Sequence, residues 1–163
     1  MKKNNVFLST TVVGAVIISN QQDGIYVLAG KKGQHWQLPQ GSDDPNDNEN
    51  FQTAVYREIL EETGIKKTNI MHTQTAYQTV SYHMKSNGRI PHAQVRSVKW
   101  FLFAIKNMTD INLTPDIREF EELDWIPWPE FMEKCAPHKR KMYMFVERFF
   151  YHYLTPLPPE LSK

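Results

Sequence analysis

The segment Glu49–Ile65 reads ENFQTAVYREILEETGI, and the fold turns on it. Phe51, Ala54, Val55 and Ile59 recur at helical spacing, which predicts a helix over about Glu49–Thr63 with these residues as its buried stripe. Gly64 follows as the glycine that ends it. On that helix Glu58, Glu61 and Glu62 stand at i, i+3 and i+4 and so share one face. Like charges at this spacing repel, by roughly 0.2–0.5 kcal/mol per pair. The face needs either full solvation, the commoner fate of a charged helix face, or a cation. Mg²⁺ or Mn²⁺ suits such a face: both are hard ions that take carboxylate oxygen and share their shell with water and phosphate.

Outward from the helix, residues 6–19 and 24–29 read as β-branched strands separated by the turn-rich NQQDG. Trp36–Pro39 is a short extended piece ending at Gly41, followed by the polar loop SDDPNDNEN. Ile70–Tyr82 and Val95–Ile105 read as further strands around a loop with the turn pair Asn87-Gly88. Leu123–Ile126 is a short strand and Pro129–Lys134 a short helix. A last helix is expected over Pro137–Tyr153, with Met142, Phe145, Val146, Phe149 and Tyr153 as its apolar stripe. The proline-broken end, LTPLPPELSK, reads as a loose tail. One domain is expected over 1–163, with its core in 5–153 and the tail in 154–163. The four tryptophans, Trp36, Trp100, Trp125 and Trp128, read as packing residues.

Composition sets limits on partners. At 163 residues and 40% hydrophobic content the chain can bury a real core. No apolar run reaches the ~20 residues that span a bilayer, and Ser9, Thr10 and Thr11 interrupt the stretch that a signal peptide would need. No membrane association is expected. The single cysteine, Cys135, makes no internal disulfide and fits a reducing, cytoplasmic setting. The net charge of +1 supplies no general attraction for polyanions. Phosphate binding must then rest on a few placed cations, the candidates being Lys31, Lys32, Arg96, Lys99 and Lys139, the last within the basic run HKRK. Tyr77 and Tyr82 are candidate base-stacking rings, although aromatics on a strand more often pack into a sheet.

The glutamate segment resembles the second part of the Nudix box. In that box a glutamate is followed by arginine, glutamate, an aliphatic, a glutamate pair, glycine and an aliphatic at fixed spacing. Glu49, Arg57, Glu58, Ile59, Glu61, Glu62, Gly64 and Ile65 fill those places in order. Six fixed residue types would match by chance on the order of once in 10⁷ windows. One departure stands out: the box's opening glycine falls at Asp43, and the nearest glycine is Gly41, so the loop before Glu49 is longer by two residues. Loop insertions cost little. GQHWQLPQG, VKWFLFAI, EFEELDWIPW and PHKRKMY are similar, in order and spacing, to the Nudix branch containing RNA 5′-pyrophosphohydrolases and dinucleoside tetraphosphate hydrolases.

The resemblance implies an α/β/α sandwich with a mixed sheet and a metal-dependent hydrolase that cleaves a phosphoanhydride. The substrate it implies is an RNA 5′-polyphosphate end or a dinucleoside polyphosphate. Nucleoside triphosphates or nucleotide sugars are the alternative, as is a catalytically silent nucleotide sensor. It implies no obligate protein partner. Glu58, Glu61 and Glu62 match the metal ligands, one of which also orients or deprotonates the attacking water. Arg57 and Glu49 match the pair that holds the helix in place. Glu119 matches a distal glutamate that completes the metal site, although its acidic neighbours Glu121, Glu122 and Asp124 leave the register open. His138 stands where relatives carry a base-stacking aromatic, and Lys139 beside it is the expected phosphate partner.

Overall fold

The computed structural model describes residues 10–42, 50–76, 78–83 and 95–155. Strand β1 (Thr10–Gln21) turns back into β2 (Gly24–Lys32) through Gly24, whose φ of 146° favours glycine. Strand β3 (His35–Gln37) pairs with β2, and β4 (Gln40–Ser42) returns to pair antiparallel with β1, placing Gly41 opposite Val13. Helix α1 (Phe51–Thr63) follows. Strands β5 (Ile70–Thr75) and β6 (Val80–His83) both pair antiparallel with β7 (Val95–Ile105), and β7 runs parallel to β1. Strand β8 (Glu122–Pro127) pairs with the outer part of β2. Helices α2 (Trp128–Lys134), α3 (Arg140–Phe149) and α4 (Tyr151–Leu154) complete the chain.

The period of two along β1 and β7 divides the core in two. Val13, Ile17, Phe101 and Phe103 face α1 and pack on Val55 and Ile59. Val12, Val16, Trp100 and Leu102 face the other way and pack on Tyr143, Val146, Phe150 and Leu154. The result is the expected α/β/α sandwich around a mixed sheet. Trp100 fits only because Gly14 lies beneath it, where a Cβ would come within 2.6 Å of the indole. Asn50 caps α1 by accepting a 2.8 Å hydrogen bond from the Thr53 N–H. Gly64, at φ 76°, ends the helix by donating to the Leu60 carbonyl at 2.9 Å. Among the described residues no helix is long and apolar enough to cross a membrane.

Several expectations need correction. Ile70–Tyr82 is two strands, because a register shift between His72 and Gln74 bends β5 and Ala76 donates its N–H to the Trp100 carbonyl. The last helix is a 3₁₀ turn at Pro137–Lys139, then α3, then α4, with a break at Phe150. Its buried row is Met142, Tyr143, Val146, Phe150 and Leu154, whereas Phe145 and Tyr153 are exposed. Both rows are apolar in sequence. The rings of Trp100 and Phe131, at 6.0 and 5.0 Å from that of Tyr143, select the inward one. Phe51, expected in the stripe of α1, is exposed at the first position of the helix. Glu49, Asp43 and Tyr77 lie outside the described residues.

Candidate active site

Helix α1 presents its glutamates to β4. Glu58 lies so close to Gly41 that a Cβ there would stand 2.0 Å from the carboxyl carbon. Any side chain at 41 would push the Glu58 carboxylate from this position. Arg57 donates to Glu58 Oε1 at 2.9 Å and to Glu61 Oε2 at 3.2 Å, which offsets part of the repulsion along the face. Glu62 is buried, and its Oε2 accepts the Gln40 N–H at 3.2 Å. Burial, then the charges of Glu58 and Glu119, push the Glu62 carboxyl up to about 9. Burial also raises Glu58, followed by the charges of Glu61 and Glu119, with Arg57 pulling the other way.

These side chains line a cavity of about 360 Å³ that Glu119 and Arg96 also border. Among the described residues no three His, Cys, Asp or Glu side chains converge on a single point. The carboxylates are distributed around the cavity wall, with Arg57 bridging Glu58 and Glu61. The donor set nevertheless fits a hard divalent cation. It is all oxygen, it includes a buried carboxylate held against two others, and a cation would relieve that repulsion.

A second cavity, of about 430 Å³, adjoins the first and shares Gln40, Glu62, Arg96 and Glu119 with it. Tyr82 forms part of its wall, its hydroxyl accepting from Gln40 Nε2 at 2.9 Å. The Lys139 ammonium lies 5.3 Å from the Tyr82 ring centre and donates to Gln37 Oε1 at 2.7 Å. His138 stands with its ring 6.2 Å from that of Tyr82. Lys139 reaches the cavity as expected, and it does so as a buried residue, only 6% exposed. Burial, then the neighbouring Arg96, lowers its pKa to about 8. Lys139 closes the 3₁₀ turn Pro137–Lys139 and is its one buried residue.

A family model described as the NUDIX domain matches residues 8–149. The chain belongs to the Nudix family. The RNA pyrophosphohydrolase of Cronobacter sakazakii is 30% identical over 158 residues, covering 89% of this chain and 86% of that one. The RNA pyrophosphohydrolase of Sulfurovum sp. is 32% identical over 109 residues, covering 66% and 68%. In three dimensions the C. elegans Ap4A hydrolase matches with a TM-score of 0.65 at 20% identity, covering 88% of this chain and 99% of that one. The E. coli dihydroneopterin triphosphate pyrophosphohydrolase matches with a TM-score of 0.67 at 19% identity, covering 88% and 98%. At those identities the structures show a shared fold. As a member of this family the chain is a Nudix pyrophosphohydrolase.

Of the residues singled out in sequence, the Nudix fold brings Glu58, Glu61, Glu62, Gly41 and Glu119 to one cavity and Lys32, Arg96, His138 and Lys139 to its neighbour. Lys32 lies 3.7 Å from Glu119 across the mouth. Lys31 and Lys99 border neither cavity; the Lys31 ammonium is 6.0 Å from the Trp36 ring centre. Trp100 and Trp128 are buried, and Trp36 and Trp125 are half-buried against the two cores, so all four pack. Gln37, Gln40, Asp116 and Arg118 were not singled out in the sequence. Glutamines beside Leu38-Pro39 carry no motif signal of their own, and Arg118 is a lone cation in an acidic run.

Proposed function

We propose that this Nudix enzyme hydrolyses a phosphoanhydride bond in a nucleotide polyphosphate, with RNA 5′-polyphosphate ends and dinucleoside polyphosphates as its substrate class and Mg²⁺ or Mn²⁺ as its cofactor. One observation carries the reading: the aromatic, cationic cavity and the carboxylate cavity meet along Gln40, Glu62, Arg96 and Glu119. A nucleoside in the first puts its phosphate chain over the junction and into the second. The names of the curated relatives, RNA pyrophosphohydrolases, favour the RNA end.

The chain's own residues divide the work. Tyr82 and His138 supply ring faces for a base, and Lys139 with Arg96 meets the phosphates nearest the nucleoside. Glu58, Glu61, Glu62 and Glu119 would hold the divalent cation, which supplies charge neutralisation on the transferring and leaving groups. Arg57 keeps Glu58 and Glu61 on the cavity side of α1. One of the α1 carboxylates orients and deprotonates the attacking water.

The test is a substrate panel of 5′-triphosphorylated RNA, diadenosine tetraphosphate, nucleoside triphosphates and a nucleotide sugar, each with Mg²⁺, with Mn²⁺ and with chelator, and with products resolved by chromatography. Cleavage of the first two in a metal-dependent manner supports the reading. Turnover confined to free triphosphates or nucleotide sugars, or turnover that survives the chelator, refutes it.

A further inference from the structure

The carboxylate cavity carries a cation that the reading above leaves without a role. Arg118 borders it, on the loop between β7 and β8. That loop is tied to the glutamate helix: Thr114 N–H donates to the Thr63 carbonyl at 2.9 Å and Asp116 N–H to the Glu62 carbonyl at 3.4 Å. Asp116 then grips the arginine. Its Oδ1 accepts from Arg118 N at 3.1 Å and from Nε at 3.0 Å, and its Oδ2 accepts from Nη2 at 2.8 Å. An exposed ion pair adds little stability, so the main consequence of the grip is geometric. It fixes the guanidinium plane relative to Glu62.

The side-on edge of the guanidinium is used by Asp116. The Nη1 amino group and the remaining Nη2 hydrogen have no protein partner among the described residues. That free edge is the pattern that takes a phosphate's paired oxygens. The Arg118 side chain is 85% exposed, open to an incoming ligand. Arg96 sits at the junction of the two cavities and meets the chain as it crosses. Arg118 borders only the carboxylate cavity, where the far end of the chain arrives. A terminal phosphate differs there from an internal one, since its second proton leaves at a pKa of about 6 and it carries the extra charge at neutral pH.

We propose that Arg118, oriented by Asp116, is a specificity-determining residue that receives the terminal phosphate of the substrate, so that the enzyme favours a polyphosphate chain with a free end over one capped by nucleosides at both ends. The inference rests on the proposed nucleotide polyphosphate substrate.

Two measurements test it. The first is calorimetric affinity for inorganic tripolyphosphate with saturating Ca²⁺, for the wild type, Arg118→Ala, Arg118→Lys and Asp116→Asn. Arg118→Ala should weaken binding about tenfold, the usual effect of losing one charge-assisted phosphate contact. Arg118→Lys should recover part of that loss, and Asp116→Asn should fall between. The second is the ratio of kcat/KM on 5′-triphosphorylated RNA to that on diadenosine tetraphosphate, which should drop about tenfold in Arg118→Ala through KM. Unchanged tripolyphosphate affinity in Arg118→Ala, or absence of binding to the wild type, overturns the assignment. Equal losses on both substrates overturn it too. Failure of the underlying reading has a different signature, turnover that does not depend on Glu62 or on metal while tripolyphosphate binding still depends on Arg118.

Discussion

Lys139→Met should make the protein more stable and the enzyme worse. The Lys139 pKa stands at about 8 rather than 10.5 because of burial and the nearby Arg96. At about 1.4 kcal/mol per pH unit, keeping this ammonium charged near pH 7 costs the fold about 3 kcal/mol. The unfolded chain holds the proton up to about 10.5 and the folded one only up to about 8, so between those values the unfolded state binds more protons. Wild-type stability therefore rises with pH across that window, and the full cost is present below it. Methionine removes the charge at similar length, at the expense of the 2.7 Å bond to Gln37 and the contact with Tyr82. Those contribute about 1–2 kcal/mol together. The variant should be about 1–2 kcal/mol more stable than wild type near pH 7 and no more stable above about pH 10.5. Urea unfolding of the metal-free proteins at both pH values measures this. On 5′-triphosphorylated RNA its kcat/KM should fall at least about tenfold. A variant less stable than wild type near pH 7, or a difference that does not change with pH, would refute the argument that the lysine is held at an energetic cost.

Glu62→Gln keeps the shape of a carboxyl group that burial already holds neutral, so its thermal midpoint should stay within a few degrees of wild type while kcat falls about 10²–10³-fold at saturating metal. Gly41→Ala should lower activity sharply while changing stability by less than about 1 kcal/mol, because its methyl group displaces the movable Glu58 carboxylate; steady-state kinetics and denaturant unfolding read the two effects. Gly64→Ala should cost about 1 kcal/mol through its φ of 76°, with a Cβ also 3.0 Å from Thr114; equal unfolding midpoints would show that the helix end has relaxed to another conformation.

What could be read in the sequence was what local spacing encodes. The i, i+3, i+4 glutamates, the Gly64 stop and the alternation along β7 each depend on a few neighbouring residues, and each appears in the structure. The fit of Gly41 against Glu58 depends on β4 pairing with β1, which no local pattern predicts. The burial of Lys139 depends on partners distant in sequence, Gln37 and Tyr82, which a charged run such as HKRK does not announce. Of the two readings of Tyr82 in sequence, the structure bears out packing: its ring is part of the core, with one edge of the residue on the cavity wall.

The parallel pairing of β1 with β7 has a consequence for synthesis on the ribosome. Thr10 faces Arg96 and Ile18 faces Ala104, 86 residues further along in each case. Contacts of such long range slow folding, since the loop must close before the pairing stabilises anything. At roughly 5–20 residues per second, β1 waits about 4–17 s for its partner to be made. From residue 63 onward α1 is complete, but for the rest of that interval the phenylalanines 101 and 103 that pack with Val55 and Ile59 are not yet present. The core under the glutamate helix is not complete before Phe103 has been made. Nascent chains arrested before Phe103 should therefore remain protease-sensitive along α1, and protection should arrive abruptly once β7 has cleared the exit tunnel.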